Sequence, residues 1–475
     1  MANAETHAPI SRLARQGWNA AFLNRNFALL WWGQSLSSVG DYAWDTALVL
    51  WIATALAARQ SWAPLAVSGA VLAAMLPQII VAPLAGVFVD RWDRRQTMIV
   101  MAVIQAALAA ALTIATLFIQ PGKAQRYPLW SLGVVYADII LLTTCAQFFQ
   151  PAQIALIKDI VAPAKQDQAV EMTRATQALG VVIGPPVAAA LVFGLGVEWA
   201  LLLNTLSFGV CYATSALIVA PPYARGAQAP TPGTFWRDFT AGLQYVTRHA
   251  TLRTILVAEI LTWLGFGALQ ALGYFFITRN LQAPPDSYGL FAGIFGLGAI
   301  LGGLLVTLFG RAFGLRRMLW LGLITSGVFV SLMSHLTQLA PALVAAFIFG
   351  VAATTIMIAA EPLAVDAAQS EFVGRVLTVL DPVGRLAALV SVIIAGSLYG
   401  VALHDFHVSV LGIEFDGINV IFTGTGALAV AGGVYTWRHM RSLPEPDPQS
   451  AENSTPESDG GAHEANANDE ADEDE

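Results

Sequence analysis

Residues 79–104 read IIVAPLAGVFVDRWDRRQTMIVMAVI, and they place five charged side chains in the six positions 90–95 between two apolar runs. The run before the turn reaches back to about 64, the run after it extends to about 119, and neither holds an acid or a base. A helix needs roughly 20 mostly apolar residues to cross the hydrocarbon of a bilayer, and each run is long enough. The stretch reads as chain crossing a membrane, turning in water on its charges, and crossing back.

Working outward from this hairpin, twelve such runs can be counted: about 28–57, 64–89, 96–119, 129–150, 172–194, 199–220, 254–278, 288–310, 317–336, 341–361, 376–403 and 416–437. The composition agrees. Only 12% of the 475 residues are charged and 56% are hydrophobic, against about 25% charged in a soluble domain. The expected fold is an all-α membrane protein of twelve transmembrane helices in two pseudo-symmetric six-helix bundles. The expected organisation is an N-terminal segment 1–26, a first bundle 27–220, a linker 221–252, a second bundle 253–441 and an acidic tail 442–475. Within the linker, Phe235, Phe239, Leu243 and Val246 recur at helical spacing and predict a short amphipathic helix. The tail carries twelve of the 32 acidic residues with no lysine or arginine, and is expected to stay disordered. Without it, 24 basic residues face 20 acidic ones, so the net charge of −8 says nothing about the body of the protein.

Lysine and arginine set the orientation. With the N-terminus inside, nineteen fall on the inner side, four (Arg59, Lys123, Arg126, Arg279) on the outer side, and Arg385 within a span. Both termini are therefore expected in the cytoplasm of a multi-pass inner-membrane protein. Met1 to Asn26 is polar, without a cleavable signal pattern. Cys145 and Cys211 lie in apolar runs and read as small buried hydrophobes, neither a disulfide nor a zinc site.

The turn itself resembles the loop between the second and third helices of the major facilitator superfamily, in which a Gly is followed four residues later by Asp, then Arg and two further basic residues. Here these are Gly86, Asp90, Arg91, Arg94 and Arg95. Position 93, commonly Gly in that family, is Asp. The stretches NRNFALLWWGQSLSSVGD (24–41), FFQPAQIALIKDIV (148–161) and FVGRVLTVL (372–380) are similar to those of the enterobactin-exporter-like and macrolide-efflux-like branch. That resemblance implies export of a small or amphipathic organic molecule, and a gate in which the turn latches one conformation. Physically, Gly86 would let two helices approach, and Asp90 stands where it can cap the third helix or pair with an arginine. A related basic turn at 302–319 has Thr307 where the acid would fall, so the second latch is degenerate. In the fifth run, Gly180, Gly184 and Pro185 supply a small-residue packing face with a helix-bending proline.

Acids inside spans mark the pathway. Asp41 lies about 13 residues into the first run, near 20 Å deep at about 1.5 Å per residue. Asp45 stands one turn further on. An aspartate at mid-membrane costs roughly 2.5–3.5 kcal/mol on insertion scales, and such residues face bundle interiors and ion or substrate routes. Low dielectric and mutual repulsion oppose double ionisation of such a pair, so a proton can be exchanged for cargo. Asp138, near mid-depth of the fourth run, is the second candidate for proton coupling. Asp45 is nearer the outer interface, where exposure to external water is the simpler expectation. Glu259 sits close enough to a span end to snorkel. Asp381 and Arg385 share a face and are expected to pair. Gln34, Trp44, Gln147, Asn204, Trp263, Gln270 and Tyr274 are candidates to line a cavity with that pair.

Enzymatic patterns are absent from the sequence: no phosphate loop, no nucleophile elbow, no His-Glu-x-x-His. HDFH (404–407) is a weak metal motif in an expected outer loop. No metal, cofactor or nucleic-acid partner is expected, and with no ATP-binding module the energy source is expected to be a proton gradient. The partners expected are a small-molecule substrate and the lipid bilayer, around a monomer. The reading is proton-coupled efflux of drug-, macrolide- or siderophore-like molecules. Its alternatives are an uptake symporter of the same fold and a non-transporting membrane receptor or assembly factor.

Overall fold

The computed structural model describes residues 23–58, 60–89, 91–119, 128–220, 234–403, 406–410 and 413–441. The chain there is almost wholly helical. α1 (Arg25–Trp51) starts where Asn24 Oδ1 accepts the Phe27 amide at 2.8 Å. Asn24 also donates to the Ile160 carbonyl and Asn26 to the Val219 carbonyl, so the entry of α1 is tied to two later helix ends. α2 (Ala63–Ile80) and α3 (Ala82–Val89) divide what the hydropathy reads as one run, 64–89. Pro83 has no amide to bond the carbonyl four residues back, and the helix restarts around it.

α4 (Arg94–Phe118), α5 (Pro128–Ile160), α6 (Gln166–Gly194) and α7 (Val197–Leu217) follow. α8 (Thr234–Arg248) is the expected amphipathic linker helix, with Val246 fully buried. Then come α9 (Ala250–Phe275), α10 (Ser287–Phe313), α11 (Leu315–Ser334), α12 (Leu339–Ala367) and α13 (Val373–Ser397). A hairpin the hydropathy did not predict, β1 (His407–Val410) against β2 (Ile413–Asp416), precedes α14 (Gly417–Arg441). Several helices outrun their apolar cores, α5 by about ten residues beyond 150, because hydropathy registers only the part that meets lipid. The linker residues 221–233 and the tail 442–475 lie outside the described residues, as do His404 and Asp405 of the weak metal motif.

Among the described residues, eleven helices are long and apolar enough to cross a membrane. α1, with 27 residues, is long enough but too polar to be counted with them. Its Gln34, Ser37, Ser38 and Asp41 are tolerable because α6 and α7 pack along α1, and Asp45 because it opens on a cavity rather than on lipid.

The packing repeats itself. In the first set α1 packs on α6 and α7, α4 on α5 and α7, and α2 on α5. In the second set α9 packs on α13 and α14, α11 on α12 and α14, and α10 on α12. The sets meet through α6 on α10 and through α2 on α13 and α9. α1 and α9, which hold corresponding places, both end in a wider turn: Ala57 N bonds Ile52 O, and Leu281 N bonds Phe276 O, each five residues back.

One core runs through both sets at the end far from residues 23 and 441, here called the distal end, from Trp51 and Leu56 to Phe276, Val392 and Phe422. At the terminal end it splits. Phe27, Met98, Leu156 and Ile218 form one core in the first set, and Leu252, Ile255, Leu319 and Met440 form another in the second. The distal junction depends on small residues. A Cβ on Gly289 would sit 2.5 Å from Ala189 Cβ and the Pro185 carbonyl, and one on Gly293 2.8 Å from Pro186. Gly396 takes Ser68 in the same way. Such contacts let backbones touch where no hydrophobic force draws helices together.

The charged turn differs from expectation. Gly86 faces open space, with nothing within 4 Å of an added Cβ, so it does not set a close helix contact. Asp90 lies outside the described residues, and the cap of α4 is Asp93, whose Oδ1 accepts the Gln96 amide at 2.7 Å. The acid in the family's usual Gly position is therefore the N-cap. Arg94 pairs with Asp159 at 2.5 Å, and Arg95 donates to the Ala216 carbonyl at 2.6 Å, which joins the terminal ends of α4, α5 and α7.

Two predictions follow from these contacts, both read by thermal unfolding of the purified protein in detergent. Gly350 packs on the Phe295 carbonyl, so Gly350→Val should destabilise by about 1–3 kcal/mol, whereas Gly209→Ala, which meets open space, should not. Asp93→Ala should cost about 1 kcal/mol and Asp93→Asn much less; equal losses would refute the cap.

Candidate functional site

A cavity of about 440 Å³ lies between the two sets at mid-height. α1 contributes Tyr42, Asp45, Thr46 and Val49, and α2 contributes Met75 and Gln78. α6 contributes Val181 and Pro185, α9 contributes Trp263, Phe266 and Gln270, α10 contributes Tyr288 and Phe295, and α13 contributes Arg385. Glycines aim two of the aromatic side chains. Gly180 and Gly184 of α6 take Tyr42, whose Cβ would be 2.6 Å from a Cβ on Gly184. In the corresponding place of the second set, Gly384 of α13 takes the Trp263 indole. Each set thus presents one aromatic residue from its first helix, seated on a glycine of its fifth long helix.

The charges divide into two groups. Arg385 Nε donates to Asp381 Oδ2 at 2.9 Å, as expected from their spacing, and Nη1 donates to Gln78 Oε1 across the gap between the sets. Behind them Glu259 is buried, its Oε2 accepting from Trp263 Nε1 at 3.1 Å. Glu259 therefore does not snorkel to the interface; the indole on its own helix holds it inside. On the other wall, Asp45 faces the cavity and forms no hydrogen bond or ion pair among the described residues. Its side chain is exposed to the space of that cavity.

Asp41 turns away from the cavity toward α7. It lies half-buried beside Asn204, whose carbonyl oxygen accepts from Ser207 Oγ at 3.0 Å and whose amide nitrogen lacks an acceptor. Gly40 gives α7 room to bring Asn204 and Ser207 this close. Asp138 is buried in α5 with one oxygen unpartnered, while the next residue, Ile139, lines the cavity.

Of the side chains expected to line a cavity, Trp263, Gln270 and Arg385 do so. Gln34, Trp44, Asn204 and Tyr274 are buried in helix contacts away from it. Gln147 bonds the Thr143 carbonyl of its own helix, and Asp381 lies beyond the lining, holding Arg385. Tyr42, Gln78, Phe266 and Tyr288 were not singled out from the sequence. The signal available for Tyr42 was its place between the two aspartates of α1. A larger hollow, about 640 Å³, lies beside Arg91 and Trp92 on the flank of α4. It sits outside the junction of the sets, and its lining carries no acid but the capping Asp93.

Residues 16–410 match the family described as transmembrane secretion effectors. The macrolide efflux protein A of Streptococcus pyogenes is 23% identical over 304 residues, 64% of this chain and 70% of that protein. The uncharacterised MFS-type transporter YkuC of Bacillus subtilis (strain 168) is 23% identical over 374 residues, covering 76% and 82%. Among solved structures, the nucleoside transporter NupG superposes with a TM-score of 0.68 at 10% identity, over 88% of this chain and all of that one. With the repeated helix packing and the central cavity, these matches place the protein: it is a multi-pass membrane transporter rather than an enzyme, and belongs to the transmembrane secretion effector family of the major facilitator superfamily.

Proposed function

We propose that this protein is a proton-coupled exporter of small amphipathic organic molecules. It would work by alternating access between two six-helix bundles, with α1 as the twelfth span. The observation that carries the reading is the cavity at the junction of the sets, walled by aromatic rings and holding one carboxylate with no protein partner. A bundle with only a structural role has little reason to leave such a group at mid-height. The shared distal core and the split terminal cores support a state shut at the distal end. The excess of lysine and arginine on the terminal side favours that side as cytoplasmic, in the inner membrane. Efflux is favoured by the macrolide efflux relatives.

In this reading Asp45 is the exchanging acid, because it alone of the candidate aspartates lines the cavity. Asp41, through Asn204, and Asp138, in the wall behind Ile139, serve as buried relays or tune its charge. The junction between α6 and α10 opens and closes as one unit because its glycine contacts either form in full or not at all.

The test is accumulation of lipophilic dyes in cells expressing wild type, Asp45→Asn, Asp41→Asn or Asp138→Asn at matched membrane levels. Wild type should lower accumulation, and Asp45→Asn should remove about nine-tenths or more of that effect, a change of about 1.4 kcal/mol. Raised accumulation by wild type would identify an importer, and no effect of any form would identify a non-transporting protein.

A further inference from the structure

Charge is spread unevenly over the terminal end. In the first set basic and acidic side chains are interspersed: Arg94 pairs with Asp159, and Lys158 and Lys165 have Asp159, Asp167 and Glu171 near them in the chain. The second set is different. Arg248 closes α8, Arg253 lies in the first turn of α9, Arg316 and Arg317 open α11, and Arg438 and Arg441 end α14. Leu252, Leu319 and Met440 share one buried core, which brings the ends of α9, α11 and α14 together. None of these three helices carries an acid in its terminal turn. Neighbouring helices bring Asp238 on α8, paired with Arg375 at 3.3 Å, and Glu361 and Asp366 on α12. Arg248, Arg253, Arg438 and Arg441 are exposed and form no ion pair among the described residues.

Positive charges gathered in one place draw in a counter-charge, and the chain itself carries one. Residues 442–475 continue from Arg441, within the cluster, and hold twelve acids with no lysine or arginine. Six of the seven residues 469–475 are acidic. A block of like charge of that length is characteristic of an interaction segment. Residues 442–468, between cluster and block, reach at most about 95 Å when extended, ample to turn back over the helix ends. Covalent attachment makes the encounter intramolecular, at an effective concentration on the order of millimolar. We propose that the acidic block 469–475 docks on the arginine cluster at the ends of α8, α9, α11 and α14, as an intrachain clasp on the second set. Exposed ion pairs are weak one by one, so the clasp depends on many charges acting together and is sensitive to salt. Its anchors all lie on the second set, so it ties helices within that set and not one set to the other.

The test is the distance between two spin labels in the full-length chain carrying Cys145→Ala and Cys211→Ala, in phosphatidylcholine nanodiscs. One label sits on Gln244→Cys, exposed on α8 one turn before Arg248, and the other on Ala471→Cys within the block. At low ionic strength a short, narrow population should dominate, and about 1 M salt, where the Debye length is about 3 Å, should abolish it. Arg248→Gln, Arg253→Gln, Arg438→Gln and Arg441→Gln together should abolish it without salt. So should Asp469→Asn, Glu470→Gln, Asp472→Asn, Glu473→Gln, Asp474→Asn and Glu475→Gln together, which leave the helices untouched and decide the matter even where the arginine variant does not fold. Lys158→Gln with Lys165→Gln should leave the short population in place, as should exchange of phosphatidylcholine for phosphatidylglycerol. A broad distribution at low salt, or a short one that survives neutralisation of the acids, would overturn the proposal. Loss of the short population in phosphatidylglycerol would assign the cluster to anionic headgroups and overturn it equally.

Discussion

An unpaired carboxylate among apolar helices is the constraint from which the rest of this architecture can be understood. Lipid cannot solvate Asp45, so the helix that carries it must be wrapped on its other sides by protein. The polar residues of α1 lower its hydropathy below that of every other long helix, and they fit only because α6 and α7 pack against it on glycines. The same small residues that let α6 embrace α1 continue along α6 to meet Gly289 and Gly293 of α10. Site and seal are thus two stretches of one helix.

That continuity gives a physical route from occupancy to shape. Tyr42 and Asp45 belong to α1, Tyr42 rests on Gly184, and the next residue of α6, Pro185, both lines the cavity and touches Gly289. In the proposed cycle, a change of charge at Asp45 would thus be transmitted through Tyr42 and Gly184 to the distal junction. Because backbone contacts at glycine have no slack to deform gradually, the proposed cycle would use the junction either closed or open. The Arg385 bridge to Gln78 gives the opposite pair of helices, α2 and α13, a polar tie at the height of the cavity, across the space from Asp45.

Much of this was legible in the sequence. The apolar runs, the linker helix, the Asp381–Arg385 pair and the packing role of Gly180 and Gly184 follow from hydropathy and spacing alone. What hydropathy lacks is direction inside the bundle. Asp41 and Asp45 differ by about 40° around a helix of about 100° per residue, which is enough to turn one toward Asn204 and the other into the cavity. Glu259 looked like a residue near an interface because its partner, Trp263, is visible only once the helix is built. The position of Asp90 leaves it able to cap α4 or to pair with an arginine, whereas Asp93 stands immediately before the first helical residue, where capping geometry requires it, and is the cap. The break at Pro83 was written in the sequence but hidden by the uniform hydropathy on either side of it.

The central claim is that occupancy of Asp45 governs whether the distal junction is shut, and the most direct measurement is the distance across that junction. Spin labels on Gln60 and Val401, both exposed at the distal end, in a chain lacking Cys145 and Cys211, would report it by pulsed electron resonance. The account predicts a short and a long population whose ratio changes when Asp45→Asn imitates the protonated acid. A single distance, the same in wild type and variant at every pH, would contradict it.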